Sequence, residues 1–188
     1  MSCLKGIKTF AGLLKDDFAN PSQRFLCLCK LLSVLPGSAG AYLRTSILHR
    51  SLASFGENSS FLGSVRIIRP ENLHIGKNVL FNEDVYIQSS GGVTIGDYSV
   101  FGPSVKIWSL NHIFSDPNTW IPEQGYEYLP VHIGKHVWIG ANVFIMPGAE
   151  IGDYSIISAG SVIGKKKVRP GSILAGNPAR KVGTRPTV

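Results

Sequence analysis

Cysteine is scarce in this 188-residue chain: Cys3, Cys27 and Cys29 all lie near the N-terminus, and none has CxxC spacing. That argues against a disulfide scaffold and for reduced, partly buried thiols. Long apolar runs are missing as well. The longest, "FLCLCKLLSVL" at 25–35, contains Lys30 and is too short to span a bilayer. Apolar "TFAGLL" runs straight into "KDD", which does not read as a secretory signal. A cytoplasmic protein is expected. Acidic residues number 12 against 19 Lys and Arg, and their distribution is uneven. Residues 1–50 hold seven Lys/Arg against two Asp, residues 51–164 hold five against ten acids, and residues 165–188 hold seven and no acid. A nucleic-acid binder would show a continuous basic face with interleaved aromatics, and this pattern is not one.

A six-residue repeat is the dominant feature. In "IGKHVWIGANVFIMPGAEIGDYSIISAGSVIG" (133–164), isoleucine recurs at 133, 139, 145, 151, 157 and 163. With three breaks the register extends back through Phe55, Phe61, Ile67, Ile75, Phe81, Ile87, Ile95, Phe101 and Ile107. Positions four later are small or β-branched, such as Ser59, Val79, Ser99, Val137 and Ser155. A helix repeats at 3.6 and a simple strand at 2. A period of six with glycine punctuation predicts a parallel β-helix of hexapeptides, three per triangular coil, each coil stabilised only by stacking on its neighbours. About five coils fit into 55–168, preceded by a helical segment at 1–54 and followed by a basic tail at 169–188 that packs on the last coil.

Two breaks are two-residue insertions. The third is an excursion over 109–130, "SLNHIFSDPNTWIPEQGYEYLP", whose aromatic and proline anchors predict an ordered functional arm. In the N-terminal segment, Leu4, Ile7, Ala11, Leu14 and Phe18 make one apolar stripe, Asn20-Pro21 ends it, a second helix runs to about Leu35, and Pro36-Gly37 precedes a third. Basic residues beside these apolar faces open two readings of residues 1–35: packing against the prism or a neighbouring subunit, or peripheral contact with the inner face of a membrane.

The motifs "IGKNVLFN" (75–82), "VTIGDYSVFGPSVKI" (93–107), "NH" (111–112), "VHIGKHVWIGANVFIMPGAEIGDYSIISAGSVI" (131–163) and "AGNPARKV" (175–182) resemble the hexapeptide-repeat acyltransferases, in particular their maltose/galactoside O-acetyltransferase-like branch. The resemblance implies a left-handed coil, a homotrimer with catalytic clefts between prisms, acetyl-CoA as donor and no metal. It places the family's catalytic histidine on His112, its acceptor-contacting asparagine on Asn82 and its cleft-lining tryptophan on Trp138. The donor's pantetheine arm would pass Ala141 and Ala159, with Gly164, Lys165 and Arg180 near the nucleotide end. Three positions depart from the family pattern. The stretch from Ile163 to Ala175 is one residue longer, Gly183 stands where some relatives carry a basic residue, and Ser90 stands where some sugar-specific members carry Asp.

The chemistry fits independently. A thioester-to-hydroxyl transfer needs a base, and histidine, with an ordinary pKa of about 6.5, suits that task near neutrality. No Ser or Cys nucleophile with a paired His is apparent, so direct transfer in a ternary complex is expected. Glu123, Glu127 or a backbone carbonyl could orient His112. Plainer readings stand beside these. Asn82 could be a turn residue, Trp138 a subunit contact, and Lys165, Lys166 and Lys167 a solvated run. The expected activity is O-acetylation of a sugar hydroxyl in a surface polysaccharide or glycolipid. The rivals are an N-acetyltransferase of an amino sugar or small xenobiotic, a carbonic anhydrase-like hydratase using His74, His112, His132 and His136, and a non-catalytic scaffold.

Overall fold

The computed structural model describes residues 9–186, without the side chains of Phe10, Ala11 and Leu14. Leu4 and Ile7 of the apolar stripe, and Cys3, lie outside the described residues. Three helices come first: α1 (Phe10–Ala19), α2 (Pro21–Leu32) and α3 (Gly37–Leu48). Asn20 separates the first two by a specific device. Its Oδ1 accepts from the Ser22 and Gln23 amides at 3.0 and 3.3 Å, and Pro21 opens α2, where a missing N–H costs nothing. Phe18 of the stripe is exposed, whereas α2 buries Phe25 and Cys29.

The rest of the chain winds into a parallel β-solenoid with three faces. The first face stacks six strands, from Ser54–Phe55 to Lys167–Val168. The second stacks six, from Ser60–Phe61 to Ser172–Ala175, and is closed by the antiparallel strand Arg180–Thr184. The third stacks five, from Val65–Ile68 to Val162–Ile163. There are thus five complete coils and a sixth with two faces, which carries the stack on to Ala175. At about 4.8 Å per coil, the prism rises roughly 24 Å.

The six-residue register is the core. All of its positions are buried except Phe55, which is half-buried. In-register pairing puts Phe61 over Phe81 and Phe81 over Phe101, with ring centroids 5.3 and 4.7 Å apart. The buried serines four residues after register positions tie coils together. Ser99 Oγ donates to the Gly134 carbonyl at 2.9 Å and accepts from the Val137 amide at 3.1 Å. Ser59, Ser155 and Ser161 likewise have backbone partners on the neighbouring coil, as burial requires.

One corner carries Asn58 and Asn78 in its first two coils and bulkier residues in the next three. Tyr98, His136 and Tyr154 take φ of 60°, 54° and 60°. Their rings form a stack with centroids 4.8 and 5.1 Å apart and planes within 5° of parallel. Left-handed backbone is unfavourable for bulky residues, and the continuous aromatic contact between coils offsets that cost.

Arg44 on α3 fastens the helices to the prism. It is 2% exposed and donates to the carbonyls of Leu35 (2.6 Å), Leu32 (3.1 Å), Leu62 (2.5 Å) and Phe61 (3.4 Å). Burial lowers its pKa, and the charge of Glu83 partly counters this.

Candidate active site

The excursion after the third coil is a β-hairpin. Leu110–His112 pairs antiparallel with Tyr126–Tyr128, in the register Leu110 to Tyr128, Asn111 to Glu127 and His112 to Tyr126. Its tip is fastened by Asp116, whose carboxylate accepts from Thr119 Oγ1 at 2.6 Å and the Asn118 amide at 2.9 Å. Those bonds hold the Asp116 carboxyl below its ordinary range. Gln124 closes the tip from the other side, exchanging hydrogen bonds with the Asp116 backbone.

This hairpin puts His112 at the rim of a cavity of about 370 Å³, with Trp108, Asn111, Tyr126 and Tyr128 around it and Tyr86, Gln88 and Ser90 as its floor. The His112 ring is exposed and lies 4.6 Å, centroid to centroid, from the Tyr126 ring. Side chains alternate faces along a strand. Glu127 pairs with Asn111 and, unlike its neighbours Tyr126 and Tyr128, does not line the cavity, which argues against Glu127 as the group that orients His112.

The other sequence-predicted residues are spread over the prism. Asn82 is not among the residues lining the His112 cavity, and its Nδ2 donates to the Phe101 carbonyl at 2.9 Å. Trp138, 55% exposed, lies on the second face in a separate cavity of about 470 Å³ with Tyr98, His136, Ile156 and Arg185. Ala141 and Ala159 stack at one corner on adjoining coils. A Cβ at Gly140 would come within 2.6 Å of the Ala159 amide nitrogen, so this column is built for close backbone approach.

The three consecutive lysines part ways. Lys165 is exposed, with its aliphatic stem over Gly148. Lys166 turns inward and donates to the Ala179 carbonyl at 2.6 Å, and burial, then the charge of Arg180, lowers its pKa. Lys167 meets Glu150 at 3.5 Å on the surface. The other histidines are dispersed too: His74 faces Ser54 Oγ at 3.2 Å, and His136 sits inside the aromatic stack. Sequence reading missed Trp108, Tyr126, Tyr128 and Gln88. A signal existed for two of them, since Gln88 and Trp108 each follow an inward register position and must face outward beside the hairpin.

Comparison with known proteins bears on this arrangement. Residues 130–165 match the bacterial transferase hexapeptide family (six repeats). Over 140 residues the chain is 35% identical to galactoside O-acetyltransferase of Escherichia coli (strain K12), an alignment covering 74% of this chain and 67% of that protein. The chain belongs to the hexapeptide-repeat acetyltransferases of the galactoside and maltose type. Solved structures agree. A maltose O-acetyltransferase from Clostridium difficile 630 superposes with a TM-score of 0.80 at 28% identity, covering 93% of this chain and 89% of that one. A galactoside acetyltransferase in complex with coenzyme A superposes with a TM-score of 0.77 at 30% identity, covering 95% and 85%. As a member of this family, the chain is an acetyltransferase that uses acetyl-CoA.

The corner of this acetyltransferase fits such a donor. Along the Ala141–Ala159 column the side chains are methyl groups, and a Cβ at Gly160 beside them would meet nothing within 4 Å; the same holds at Gly164, on the next corner of the same coil. An extended, narrow arm can lie there without displacing protein atoms. Lys165 and Arg180 are exposed near the same end of the prism, where phosphates would find positive charge.

Proposed function

We propose that this acetyltransferase moves the acetyl group of acetyl-CoA to a sugar hydroxyl, with His112 as general base and no covalent acyl-enzyme. The observation that carries this reading is the cavity under His112, where an imidazole stands over aromatic walls and a polar floor of Gln88 and Ser90. Aromatic faces suit the C–H faces of a sugar ring, and amide and hydroxyl groups suit its hydroxyls. Cys29, the buried thiol, has its pKa pushed up to about 11 by burial, so it stays protonated and is a poor nucleophile at neutral pH.

Ala141, Ala159, Gly164, Lys165 and Arg180 are assigned to the donor, and Asn82 and Trp138 to the acceptor side. Within one chain, neither Asn82 nor Trp138 lines the His112 cavity. This supports a cleft assembled from two subunits of a homotrimer. The role assigned is O-acetylation of a glycoconjugate under construction in the cytoplasm, where acetyl-CoA is the donor. The test is acetyl-CoA consumption against a panel of sugars, nucleotide sugars and amino sugars. Turnover with hydroxyl acceptors and none with the amine of amino sugars supports the reading. Turnover confined to amines overturns O-transfer in favour of N-transfer.

The helices supply a second part of this reading. No helix among the described residues is long and apolar enough to cross a membrane. Yet Leu31, Val34, Leu35, Tyr42, Leu43 and Ile47 are exposed on or between α2 and α3, with Val34 at 75% and Tyr42 at 73%. Arg24, Lys30 and Arg50 lie in the same segment. Apolar side chains beside cations match an anionic bilayer, each cation near the surface contributing about 1 kcal/mol. The full chain is expected to float with anionic liposomes at low salt, and Leu31→Glu/Val34→Glu to remain in the soluble fraction. Equal partitioning of the two proteins would assign these side chains to subunit packing instead.

A further inference from the structure

A second cavity lies away from the one under His112. It measures about 730 Å³ and lies between α2 and the outer surface of the third face. Three cations line it: Lys30 from α2, and Arg66 and Lys106 from the face. The one acidic side chain in its wall is Asp84, which already accepts from Ser64 Oγ.

The strand pairing explains why the cations converge. Arg66 pairs with Tyr86, and Tyr86 with Lys106, on three successive coils. Two cations therefore bracket one aromatic ring, two strand spacings or about 10 Å apart. Arg66 lies with its guanidinium carbon 4.9 Å from the Tyr86 ring centroid. Tyr86 is also part of the floor of the His112 cavity. The same strand, Val85–Gln88, thus runs from the basic cavity to the acetyl-transfer cavity, a span of about 10 Å. The three cations are exposed, so solvent screens their mutual repulsion, and an anion seated between them would meet positive charge from both the helix and the face.

We propose that the basic cavity is an acceptor subsite for a phosphate or diphosphate group, so that the sugar under His112 is a glycosyl phosphate rather than a free sugar. This rests on the acetyl-transfer reading for the His112 cavity, but the cations are a feature of their own. Two carriers could present such a group, a nucleotide or a polyisoprenoid, and both offer the same diphosphate chemistry.

The test is calorimetric titration of the full-length chain at low ionic strength. Coenzyme A is added first, to saturation, so that Lys165 and Arg180 are occupied, and inorganic pyrophosphate is then titrated in. Failure of coenzyme A to bind would count against the acetyl-transfer reading while leaving the pyrophosphate result intact. Pyrophosphate is expected to bind the wild type, and the doubly substituted Arg66→Gln/Lys106→Gln chain about tenfold more weakly. Arg66→Lys/Lys106→Arg, which keeps both charges, should retain most of the affinity, and this separates loss of charge from loss of fold. Equal binding by the wild type and the Gln variant, or no binding by the coenzyme A-saturated wild type, overturns the subsite. UDP and geranyl diphosphate as further titrants distinguish the carriers. Tighter binding of one assigns that carrier, and equal binding makes the diphosphate alone the recognised group.

Discussion

Substituting alanine for His112 is expected to slow acetyl transfer by a factor of about 10² to 10⁴ and to leave acetyl-CoA affinity nearly unchanged. The asymmetry follows from the placement of the residues. His112 stands on the hairpin, over the acceptor cavity. The proposed donor column, Ala141 and Ala159, lies on the corner between the second and third faces of later coils, and it does not use the hairpin. The substitution leaves the fold intact because the ring is exposed and its neighbour is the Tyr126 ring rather than the core. Single-turnover kinetics at saturating acetyl-CoA would report the chemical step, and calorimetry the donor affinity. Full activity in the folded variant would remove the base assignment. A large loss of acetyl-CoA affinity with an unchanged chemical step would make His112 a donor contact. Mixing also tests the shared cleft. Co-assembled His112→Ala and Trp138→Ala chains should regain part of the activity that each lacks alone, since some clefts then receive both wild-type residues.

The sequence displayed the solenoid almost completely, because its period is a direct image of the packing. One apolar residue per six points to the axis, and every register position but Phe55 is buried, Phe61, Ile107 and Ile163 among them. The hairpin was legible only as an ordered arm. Its pairing depends on which two short stretches of 109–130 meet, and the residues that meet, Leu110–His112 and Tyr126–Tyr128, carry no alternation strong enough to announce a register. That register separates Glu127 from His112, a fact beyond the reach of composition. The fates of the consecutive lysines were also hidden. Side-chain direction at the open end of a solenoid is set by the returning tail, and the Ala179 carbonyl draws in Lys166 and not Lys165. Arg44 escaped notice for a similar reason. An arginine in an amphipathic helix reads as surface, and only the arrival of the Phe61 and Leu62 carbonyls gives it buried partners.

Phe81→Ala is expected to cost about 3–5 kcal/mol, a large part of the roughly 5–15 kcal/mol that stabilises an ordinary domain. Phe81 is fully buried and is the middle ring of three, 5.3 Å from Phe61 and 4.7 Å from Phe101. Its truncation removes two aromatic contacts and leaves a void that neighbouring coils cannot close, because their spacing is fixed by the strand hydrogen bonds on every face. The damage should also be directional. In a solenoid each coil contacts only its neighbours, so stability is close to a sum of local terms. The first coil and the three helices are coupled through Arg44, which binds the carbonyls of Phe61 and Leu62. Weakening the second coil should therefore loosen the first coil and the helices with it, while the fifth and sixth coils, built around Ile151, Ile157 and Leu174, keep their protection. Amide hydrogen exchange is expected to accelerate over α2, α3 and residues 54–108 and to change little beyond residue 150. Phe81→Leu, which fills much of the void, should show the same pattern at a fraction of the size. Uniform acceleration along the chain would mean that the prism unfolds as one cooperative unit. Unchanged exchange and melting in Phe81→Ala would mean that the aromatic column contributes nothing to holding the coils together.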